Sequence, residues 1–419
     1  MRIAFVTQPL DSVMPLRQNS IGVVVHNTAR CLAAAHDVTI IAGSRYNPPS
    51  LAPDDNIRYH FVGDEPDTPI LGFLEHFPNW IPQERVLESR FFYRIYAERV
   101  ARLLAKGNYD WVHVVNYSQF LPVLHRAAPR SHFNLEMHSY WLSQFPAREI
   151  RRRLAAADLV TCVSDDVAEQ ARDAHPGLTV PIETVHNGCD VERFAAAAGD
   201  RGPERRTILF VGRISPEKGV HDLLDAMEKV LAEIPDARLV LIGPMATLPR
   251  GFIVDISTQA GVRKLADFYD GTVCTDYGAY LRARAARSAL AGRVEFVEPV
   301  STSELPARYA QADVLVNPSY SETFGLSLVE GMSSGMPVIG TAVGGAPEIV
   351  VPGETGFLTE PGDVDGLAAA MLACLGDAEL CDRLGRNGRE RARRKFTWEQ
   401  RSGRLVELFA AADRLVDHG

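Results

Sequence analysis

Short apolar segments alternate with helical patterns along most of the chain, and this alternation limits the fold more than any other feature. Residues 3–7, 37–42, 111–115 and 132–137 are apolar segments of this kind in the first part of the sequence. Strands that alternate with helices form a mostly parallel sheet covered on both faces. The sequence therefore predicts an α/β fold, in which ligands bind beyond the carboxyl ends of the strands.

The chain has 419 residues, which is enough for two domains with separate cores. Residues 195–206 are small and polar and include glycine and proline, which is typical of a domain linker. We therefore expect one domain over residues 1–195 and another over residues 206–396. The net charge of −9 argues against a nucleic-acid partner, which would need a basic face.

Membrane association is not expected from the sequence. No apolar segment approaches the roughly 20 residues that span a bilayer. The basic and aromatic helical stretch over residues 84–106 also carries acidic side chains, which favours a solvated surface. The N-terminus enters a strand pattern directly, so we expect a cytoplasmic protein. The six cysteines are scattered without a Cys-x-x-Cys pair, so we expect them to be reduced and to form no zinc site.

The most informative stretch for function lies between residues 314 and 330. An apolar segment, Val314-Leu315-Val316, is followed by a polar loop and then by helical periodicity from Gly325 onward. The N–H groups at the start of such a helix form a site for phosphate. Glu322 precedes the helix, and Glu330 lies about 7 Å further along it. Two carboxylates thus flank an anion site, a layout that suits the hydroxyl groups and diphosphate of a sugar nucleotide.

Taken alone, Glu330 is more simply explained as a solvated helix residue, and Glu322 as an acid favoured by the dipole at a helix start. The context includes Gly335-Met336-Pro337, Gly344-Gly345-Ala346-Pro347-Glu348 and Gly356-Phe357-Leu358. Together with the two preceding glutamates, which are separated by seven residues, these segments resemble the donor-binding half of retaining glycosyltransferase family 4. This family has the GT-B fold and belongs to the group 1 glycosyltransferases, which include glycogen synthase and sucrose-phosphate synthase. The resemblance is strong over residues 207–400 and weaker before them.

The resemblance implies two Rossmann-like domains whose parallel sheets face each other across a cleft. The N-terminal domain would bind the acceptor, and residues 397–419 would form a helix that packs back onto it. The implied activity is a metal-independent, retaining transfer of a hexose from a nucleotide diphosphate sugar to a small-molecule acceptor. UDP or GDP would be the nucleotide, and no further cofactor is implied.

The resemblance also assigns roles to individual residues. Arg213 and Lys218, in a Gly-Arg…Lys-Gly segment, would neutralise the leaving diphosphate, since cationic groups on a developing charge are a large electrostatic contribution. Glu322 and His138 would hold the sugar, and Glu330 the ribose. Further donor contacts would come from a set of residues that act mainly through their backbone, namely Gly22, Gly243, Val297, Thr323, Phe324, Gly325 and Leu326. Asn116, His138 and Ser139 would contact the acceptor.

The sequence departs from the family pattern at four places. The usual Gly-Gly pair of the first loop is Ile21-Gly22, Gly-x-Gly is replaced by Gly243-Pro244-Met245, and Ser139 stands where aspartate is frequent. Residues 246–280 form an insertion, because about fifty residues separate Gly243 from the next strand. Three roles remain open for this insertion: a lid, a wall of the acceptor pocket, or a contact in a homodimer.

Other functions compete with a transferase. An epimerase or hydrolase that acts on nucleotide sugars, or a phosphorylase, could use the same fold without the small-molecule acceptor of a transferase. A nicotinamide-dependent enzyme would need a Gly-x-Gly-x-x-Gly motif after the first strand, whereas residues 8–20 contain no glycine. A sugar-binding protein without catalysis is disfavoured, because both glutamates and both cationic residues are present.

Overall fold

The computed structural model describes residues 1–15, 18–48, 56–75, 83–197 and 205–416. The chain divides into two compact units: a first unit from Met1 to Gly188 that resumes at Trp398, and a second unit over Cys189–Thr397. The first unit contains a seven-stranded sheet and the second a six-stranded sheet. The prediction of an α/β protein with two parallel sheets is therefore confirmed.

The sheet of the first unit is parallel at every pairing, in the order β3-β2-β1-β4-β5-β6-β7. Its strands are β1 (Arg2–Val6), β2 (Asp37–Gly43), β3 (Arg58–Val62), β4 (Trp111–Val115), β5 (His132–Met137), β6 (Leu159–Cys162) and β7 (Ile182–Thr184). The strand order reverses between β1 and β4, and the carboxyl ends of strands at such a reversal are the usual ligand site of an open α/β sheet.

Helices connect these strands. They are α1 (Ser20–Leu32), α2 (Asp67–Glu75), α3 (Gln83–Glu88), α4 (Arg94–Leu104), α5 (Leu121–Ala127), α6 (Trp141–Gln144), α7 (Ala147–Leu154) and α8 (Asp165–Ala174). Helix α1 begins where the side chain of Asn19 accepts a hydrogen bond from the Gly22 N–H, which satisfies one of the donors that a helix start leaves unpaired.

The sheet of the second unit is also parallel, in the order β10-β9-β8-β11-β12-β13. Its strands are β8 (Thr207–Val211), β9 (Arg238–Ile242), β10 (Val294–Val297), β11 (Val314–Asn317), β12 (Val338–Thr341) and β13 (Gly356–Thr359). Here the order reverses between β8 and β11. The loops that follow these two strands therefore lie side by side at the expected ligand site.

The helices of the second unit are α9 (Val191–Ala197), α10 (Val220–Glu233), α11 (Arg250–Ile253), α12 (Ala260–Arg263), α13 (Tyr277–Ala285), α14 (Leu305–Ala310), α15 (Leu326–Ser333), α16 (Ala346–Ile349), α17 (Val364–Gly376) and α18 (Ala378–Lys395). Short 3-10 turns occur at Ser118–Phe120 in the first unit and at Pro216–Lys218, Lys264–Phe268 and Ser288–Leu290 in the second.

The last helix, α19 (Trp398–Val416), belongs to the first unit. Phe409 stacks on Trp111 with ring centroids 4.1 Å apart, and the Trp111 indole N–H donates to Asp413 at 3.1 Å. Because Leu405 and Phe409 are fully buried in the same core as Ile3 and Phe5 of β1, helix α19 contributes to this domain's interior.

Three sequence expectations differ from the structure. Residues 84–106 form two helices rather than one, because the backbone turns at Tyr93, whose φ is +50°. Part of the expected loop over residues 64–83 is helix α2, and residues 76–82 lie outside the described residues. The boundary between the units falls after Gly188 rather than at residue 195, since α9 packs on the second unit through an edge-to-face contact of Phe194 with Tyr309. Most of the expected linker, residues 198–204, lies outside the described residues.

None of the helices described by the structure is both long enough and apolar enough to cross a lipid bilayer.

Candidate active site

Two loops meet at the point where the second sheet reverses its strand order. The loop after β8 carries Arg213 and Lys218, and the loop after β11 leads to Glu322. Gly219 brings them together: its φ is +66°, and a Cβ atom built on it would lie 2.1 Å from the Pro318 carbonyl oxygen. Only glycine combines this backbone conformation with so close an approach. The sequence motif Lys-Gly thus has a structural reason as well as a chemical one.

Lys218 and Glu322 form an ion pair between these loops. The Lys218 Nζ lies 2.8 Å from Glu322 Oε2, and the Asn317 side-chain amide donates to the same oxygen at 3.2 Å. Burial disfavours the charged carboxylate, but the Lys218 ammonium and the Asn317 hydrogen bond outweigh it, so the pKa of Glu322 lies below its usual range. The site therefore holds an ionised carboxylate and an ammonium group in direct contact.

Arg213 is held by a second acid, Glu217, within its own loop. The Arg213 Nη2 donates to Glu217 Oε1 at 2.5 Å, and its Nε donates to Ser215 Oγ at 3.3 Å. Glu217 is buried, with 3% of its side chain exposed, whereas Arg213 keeps 30% exposed. These contacts leave the Arg213 Nη1 group without a hydrogen-bond partner among the residues that the structure describes. A cationic donor in a fixed orientation is therefore presented at the sheet end.

The loop before α15 contains the predicted backbone donors. Helix α15 begins at Leu326, after Gly325 in the left-handed conformation with φ +105°. The Phe324 N–H contributes a hydrogen bond to the Glu322 carboxylate, and the Phe324 ring is buried edge-on against Phe396 at 5.9 Å. Thr323 lies between them and is half-buried. Glu322 is thus positioned by its own loop as well as by Lys218.

Glu330 lies on α15 in a different environment. The Tyr309 hydroxyl donates to Glu330 Oε2 at 2.6 Å. Burial raises the pKa of Glu330 to about 7, while the Tyr309 hydrogen bond and the charge of Arg193 lower it by smaller amounts. The two glutamates of the motif therefore differ: Glu322 is ionised over the whole physiological range, whereas Glu330 changes its charge near neutral pH.

Two other predicted donor residues bind each other. The Gly243 N–H donates to the Val297 carbonyl oxygen at 3.1 Å, across the ends of β9 and β10. A Cβ atom at Gly243 would lie 2.0 Å from the Gly212 carbonyl oxygen, so this glycine is required by the packing of adjacent loops. The Gly243 N–H and the Val297 carbonyl are thus already bonded to each other at the end of the sheet.

In the first unit, Gly22 has a structural task of the same kind. Its N–H is bound by the Asn19 side chain at 2.7 Å, and a Cβ atom would lie 1.8 Å from the Ser12 carbonyl oxygen. This N–H is thus part of a helix cap, and the contact of Gly22 with the donor phosphate stays a prediction. Gly22 also allows the loop after β1 to pass close to α1.

The predicted acceptor residues follow β4 and β5. The Asn116 side-chain oxygen accepts a hydrogen bond from the His138 backbone N–H at 2.7 Å, and Asn116 has a φ of +59°. The Ser139 hydroxyl oxygen is buried and has no hydrogen-bond partner among the described residues. A buried polar group without a partner is costly, and the contact of Ser139 with the acceptor stays a prediction.

His138 lies beside a buried ionic network that the sequence analysis did not find. Its Nε2 is 3.2 Å from Glu136 Oε2, which also binds His113 Nε2 at 2.8 Å. The other oxygen of Glu136 pairs with Arg401 of α19. Burial opposes the charge, but Arg401 and the two imidazoles outweigh it, so the pKa of Glu136 lies well below its usual range.

Asp11, in the loop after β1, is a further missed acid. Burial raises the pKa of Asp11 to about 6, and the hydrogen bonds from Asn19 and Gln8 oppose the shift. An electrostatic interaction with His138 also acts to lower the pKa of Asp11. Among the missed residues, Glu217 could have been found between Arg213 and Lys218 in the quoted motif. Arg401 carries no local signal, because its partners Thr28 and Glu136 come from distant parts of the chain. The partners of Asp11 are close in sequence, but no local motif shows that this acid is buried.

Comparisons with known proteins agree with this arrangement. Residues 194–391 match the family model described as Glycosyl transferases group 1, and residues 21–193 match that described as Glycosyltransferase Family 4. The spore coat protein SA of Bacillus subtilis (strain 168) is 24% identical over 428 aligned positions, which cover 98% of this chain and 99% of that protein.

A partial match adds a relative whose name states an activity. The D-inositol 3-phosphate glycosyltransferase of Streptomyces avermitilis is 30% identical over 267 residues, 62% of this chain. The chain spans about half the length of that relative, 53%.

Solved structures share the fold. HepE from Anabaena in complex with UDP-glucose has a TM-score of 0.70 and 19% identity, over 98% of this chain and all of that one. This likeness confirms the fold predicted from the sequence. The two family matches, which together run from residue 21 to residue 391, and the shared architecture show that the chain belongs to the group 1 glycosyltransferases of GT-B fold.

Proposed function

We propose that the protein transfers a hexose from a nucleotide diphosphate sugar to a hydroxyl group of a small-molecule acceptor in the cytoplasm, with retention of the anomeric configuration. The observation that carries the proposal is the Lys218–Glu322 ion pair at 2.8 Å, because it joins the Gly-Arg…Lys-Gly loop to the loop of the two glutamates. UDP is the proposed nucleotide, in line with the UDP-glucose bound by HepE.

The second unit supplies the groups that a departing nucleoside diphosphate needs. Arg213 and Lys218 are the cationic residues at the strand end, and each already contacts a carboxylate that fixes its direction. Negative charge develops on the diphosphate as the bond to the sugar breaks. Cationic donors placed in advance stabilise that charge without reorganisation at the moment of reaction, which commonly contributes a factor of about 10²–10³ in rate. We propose that these two residues take the role that a metal ion has in other transferases.

The carboxylates bind the two ends of the donor. Glu322 is ionised and accepts hydrogen bonds from sugar hydroxyl groups, while Glu330 does the same for the ribose. In the first unit, His138 contacts the sugar, and Asn116 and Ser139 contact the acceptor. Of these, Ser139 has the hydroxyl that is buried without a partner among the described residues.

The proposed reaction requires one exchange at the anomeric carbon. The bond from this carbon to the diphosphate oxygen breaks, and a bond to the acceptor oxygen forms on the same face. The proton of the acceptor hydroxyl moves to the departing diphosphate, so the products are the glycoside and UDP. No covalent bond to the protein is needed, and Glu322 stabilises the sugar rather than attacking it.

The experiment begins with a thermal-shift screen against UDP, GDP, ADP and dTDP, because a ligand that binds only the folded protein raises its melting temperature. The matching nucleotide sugar is then incubated with hydroxyl acceptors, including D-inositol 3-phosphate, and the anomeric configuration of the product is read by NMR. Release of sugar without any acceptor would indicate a hydrolase instead, and a changed sugar on the nucleotide an epimerase. Stabilisation by none of the nucleotides would contradict the proposal.

A further inference from the structure

The insertion over residues 246–280 packs on the diphosphate-binding loops of its own unit. Its 3-10 turn Lys264–Phe268 lies against the turn Pro216–Lys218. Tyr269 follows directly, and its hydroxyl donates to Glu217 Oε2 at 3.1 Å. This hydrogen bond links the insertion to the acid that orients Arg213.

Glu217 receives its hydrogen bonds on both oxygens. Oε1 accepts from Arg213 at 2.5 Å and from Ser215 at 2.7 Å, which leaves Oε2 for Tyr269. Without Tyr269, the carboxylate could rotate about its terminal bond, since only one of its oxygens would be held by these groups. The direction of the Arg213 guanidinium would then be less sharply defined. The tyrosine thus completes the set of contacts that fixes the cation.

The insertion also packs around the loop after β11, which leads to Glu322. The Tyr320 ring, two residues before Glu322, stacks on His221 with ring centroids 5.8 Å apart and an angle of 9°. His221 in turn binds the Tyr277 hydroxyl through Nδ1 at 2.9 Å and lies 4.5 Å from the Phe268 ring. Gly261 of the insertion also lies close to Tyr320: a Cβ atom built on Gly261 would lie 3.4 Å from the Tyr320 ring. One segment therefore supports both loops of the site.

These contacts belong to the interior of the second unit. Tyr277 and Leu281 are part of its buried core, and Phe268 and Tyr280 pack against that core. A movable lid would have to break these contacts each time it opened. The arrangement instead favours a fixed support beneath the loops that bind the diphosphate.

We propose that the insertion is a rigid brace for the diphosphate site and that Tyr269 is its positioning residue, acting on Arg213 through Glu217. The inference rests on the proposed function, because it assumes that Arg213 binds the diphosphate of the donor. Tyr269 itself does not touch the reacting atoms in this account. Its contribution is to hold the cation in the direction that the diphosphate requires.

The test compares Tyr269→Phe with wild type by calorimetry and by steady-state kinetics. Loss of one hydrogen bond in a positioning chain should weaken UDP binding about fivefold, the equivalent of about 1 kcal/mol. Binding of uridine, which has no diphosphate, should be unchanged. Tyr280→Phe is the matched control, because it removes a hydroxyl from the same insertion that bonds to Arg284 rather than to Glu217. That variant should bind UDP like wild type.

A second comparison uses the Arg213→Ala background, in which Tyr269→Phe should have no further effect on UDP binding. A role in general folding would lower the melting temperature and weaken UDP and uridine alike, which would overturn the inference. So would wild-type affinity of Tyr269→Phe for UDP. If wild type itself binds none of UDP, GDP, ADP and dTDP, the proposed function fails together with the inference. If it binds one of the other three instead of UDP, the same comparison is made with that nucleotide and its nucleoside.

Discussion

The two sheets have the same kind of strand-order reversal, but the ion pairs beside their strand ends differ. In the second unit, Lys218 and Glu322 remain 19% and 15% exposed and come from two loops. In the first unit, Glu136 and Arg401 are each 1% exposed and join a strand to the last helix. A pair that water reaches can exchange a partner for a ligand, whereas a fully buried pair would leave an uncompensated charge. The first arrangement suits binding, and the second suits support of His138.

The largest expected effect on activity comes from the Lys218–Glu322 pair. Glu322→Ala should reduce transfer to about 10⁻²–10⁻³ of wild type, because the variant loses the group that stabilises the sugar in the transition state. Binding of UDP should stay measurable, since UDP lacks the hexose that Glu322 is proposed to contact. The checks are initial rates of product formation and calorimetry. Glu228→Ala, which removes an exposed acid of α10, should behave like wild type. Normal turnover by the Glu322 variant would remove this residue from the mechanism.

The buried pair should instead control stability. Arg401→Ala leaves the Glu136 carboxylate without its main partner and also removes the bonds of Arg401 to Thr28 and Val185. We expect a loss of about 3–5 kcal/mol in the free energy of unfolding of the first unit. Urea denaturation followed by tryptophan fluorescence measures it.

Arg404→Ala provides the control on the same helix. Arg404 is 46% exposed and pairs with Glu183 at 3.1 Å, so its loss should change stability by no more than about 1 kcal/mol. Equal effects of the two substitutions would show that burial does not distinguish these pairs.

Lys218→Ala should weaken the affinity for UDP about 10- to 100-fold, because a hydrogen bond to a charged group contributes about 1.5–3 kcal/mol. Its effect on unfolding should be small, in contrast to that of Arg401. Lys229→Ala is a matched comparison: Lys229 also pairs with a carboxylate, Asp365, at 2.8 Å, but it is 52% exposed on α10. An unchanged dissociation constant for the Lys218 variant would contradict its place in the diphosphate site.

The smallest expected effect concerns Glu330 and pH. Its pKa is raised to about 7, so the carboxylate that we propose as the acceptor for ribose hydroxyl groups predominates above pH 7 and is lost below it. The affinity for UDP should therefore rise about three- to tenfold from pH 6 to pH 8, since one pH unit changes the charged fraction by up to tenfold. Glu330→Gln removes this titration but retains that of UDP. The difference between the two pH profiles is the measured quantity, and parallel profiles would exclude the effect.

Sequence reasoning was most accurate where a structure depends on local pattern. The strands Trp111–Val115 and His132–Met137 have the predicted bounds, because short apolar runs determine them. The break at Tyr93 was missed, since nothing in a non-glycine residue predicts a positive φ. Lys218 and Glu322 could be placed together because each lies in a short motif after a strand.

Partners far apart in sequence were beyond that reasoning. Glu136 and Arg401 are 265 positions apart, and Tyr269 reaches Glu217 from an insertion that family patterns do not cover. Gly22 and Gly243 were assigned to the donor by analogy, yet their N–H groups are bound within the protein. A backbone group's availability depends on its hydrogen bonds, which no motif records.

The contact of Gly219 with the Pro318 carbonyl has a consequence for engineering the enzyme. The two segments fit against each other without room for one side-chain carbon, so their shapes are interdependent. If only one of the two segments were replaced by the corresponding segment of a relative, the new segment would fit the remaining one only by chance. Exchange of donor preference between such enzymes should therefore succeed when both segments are transferred as one module.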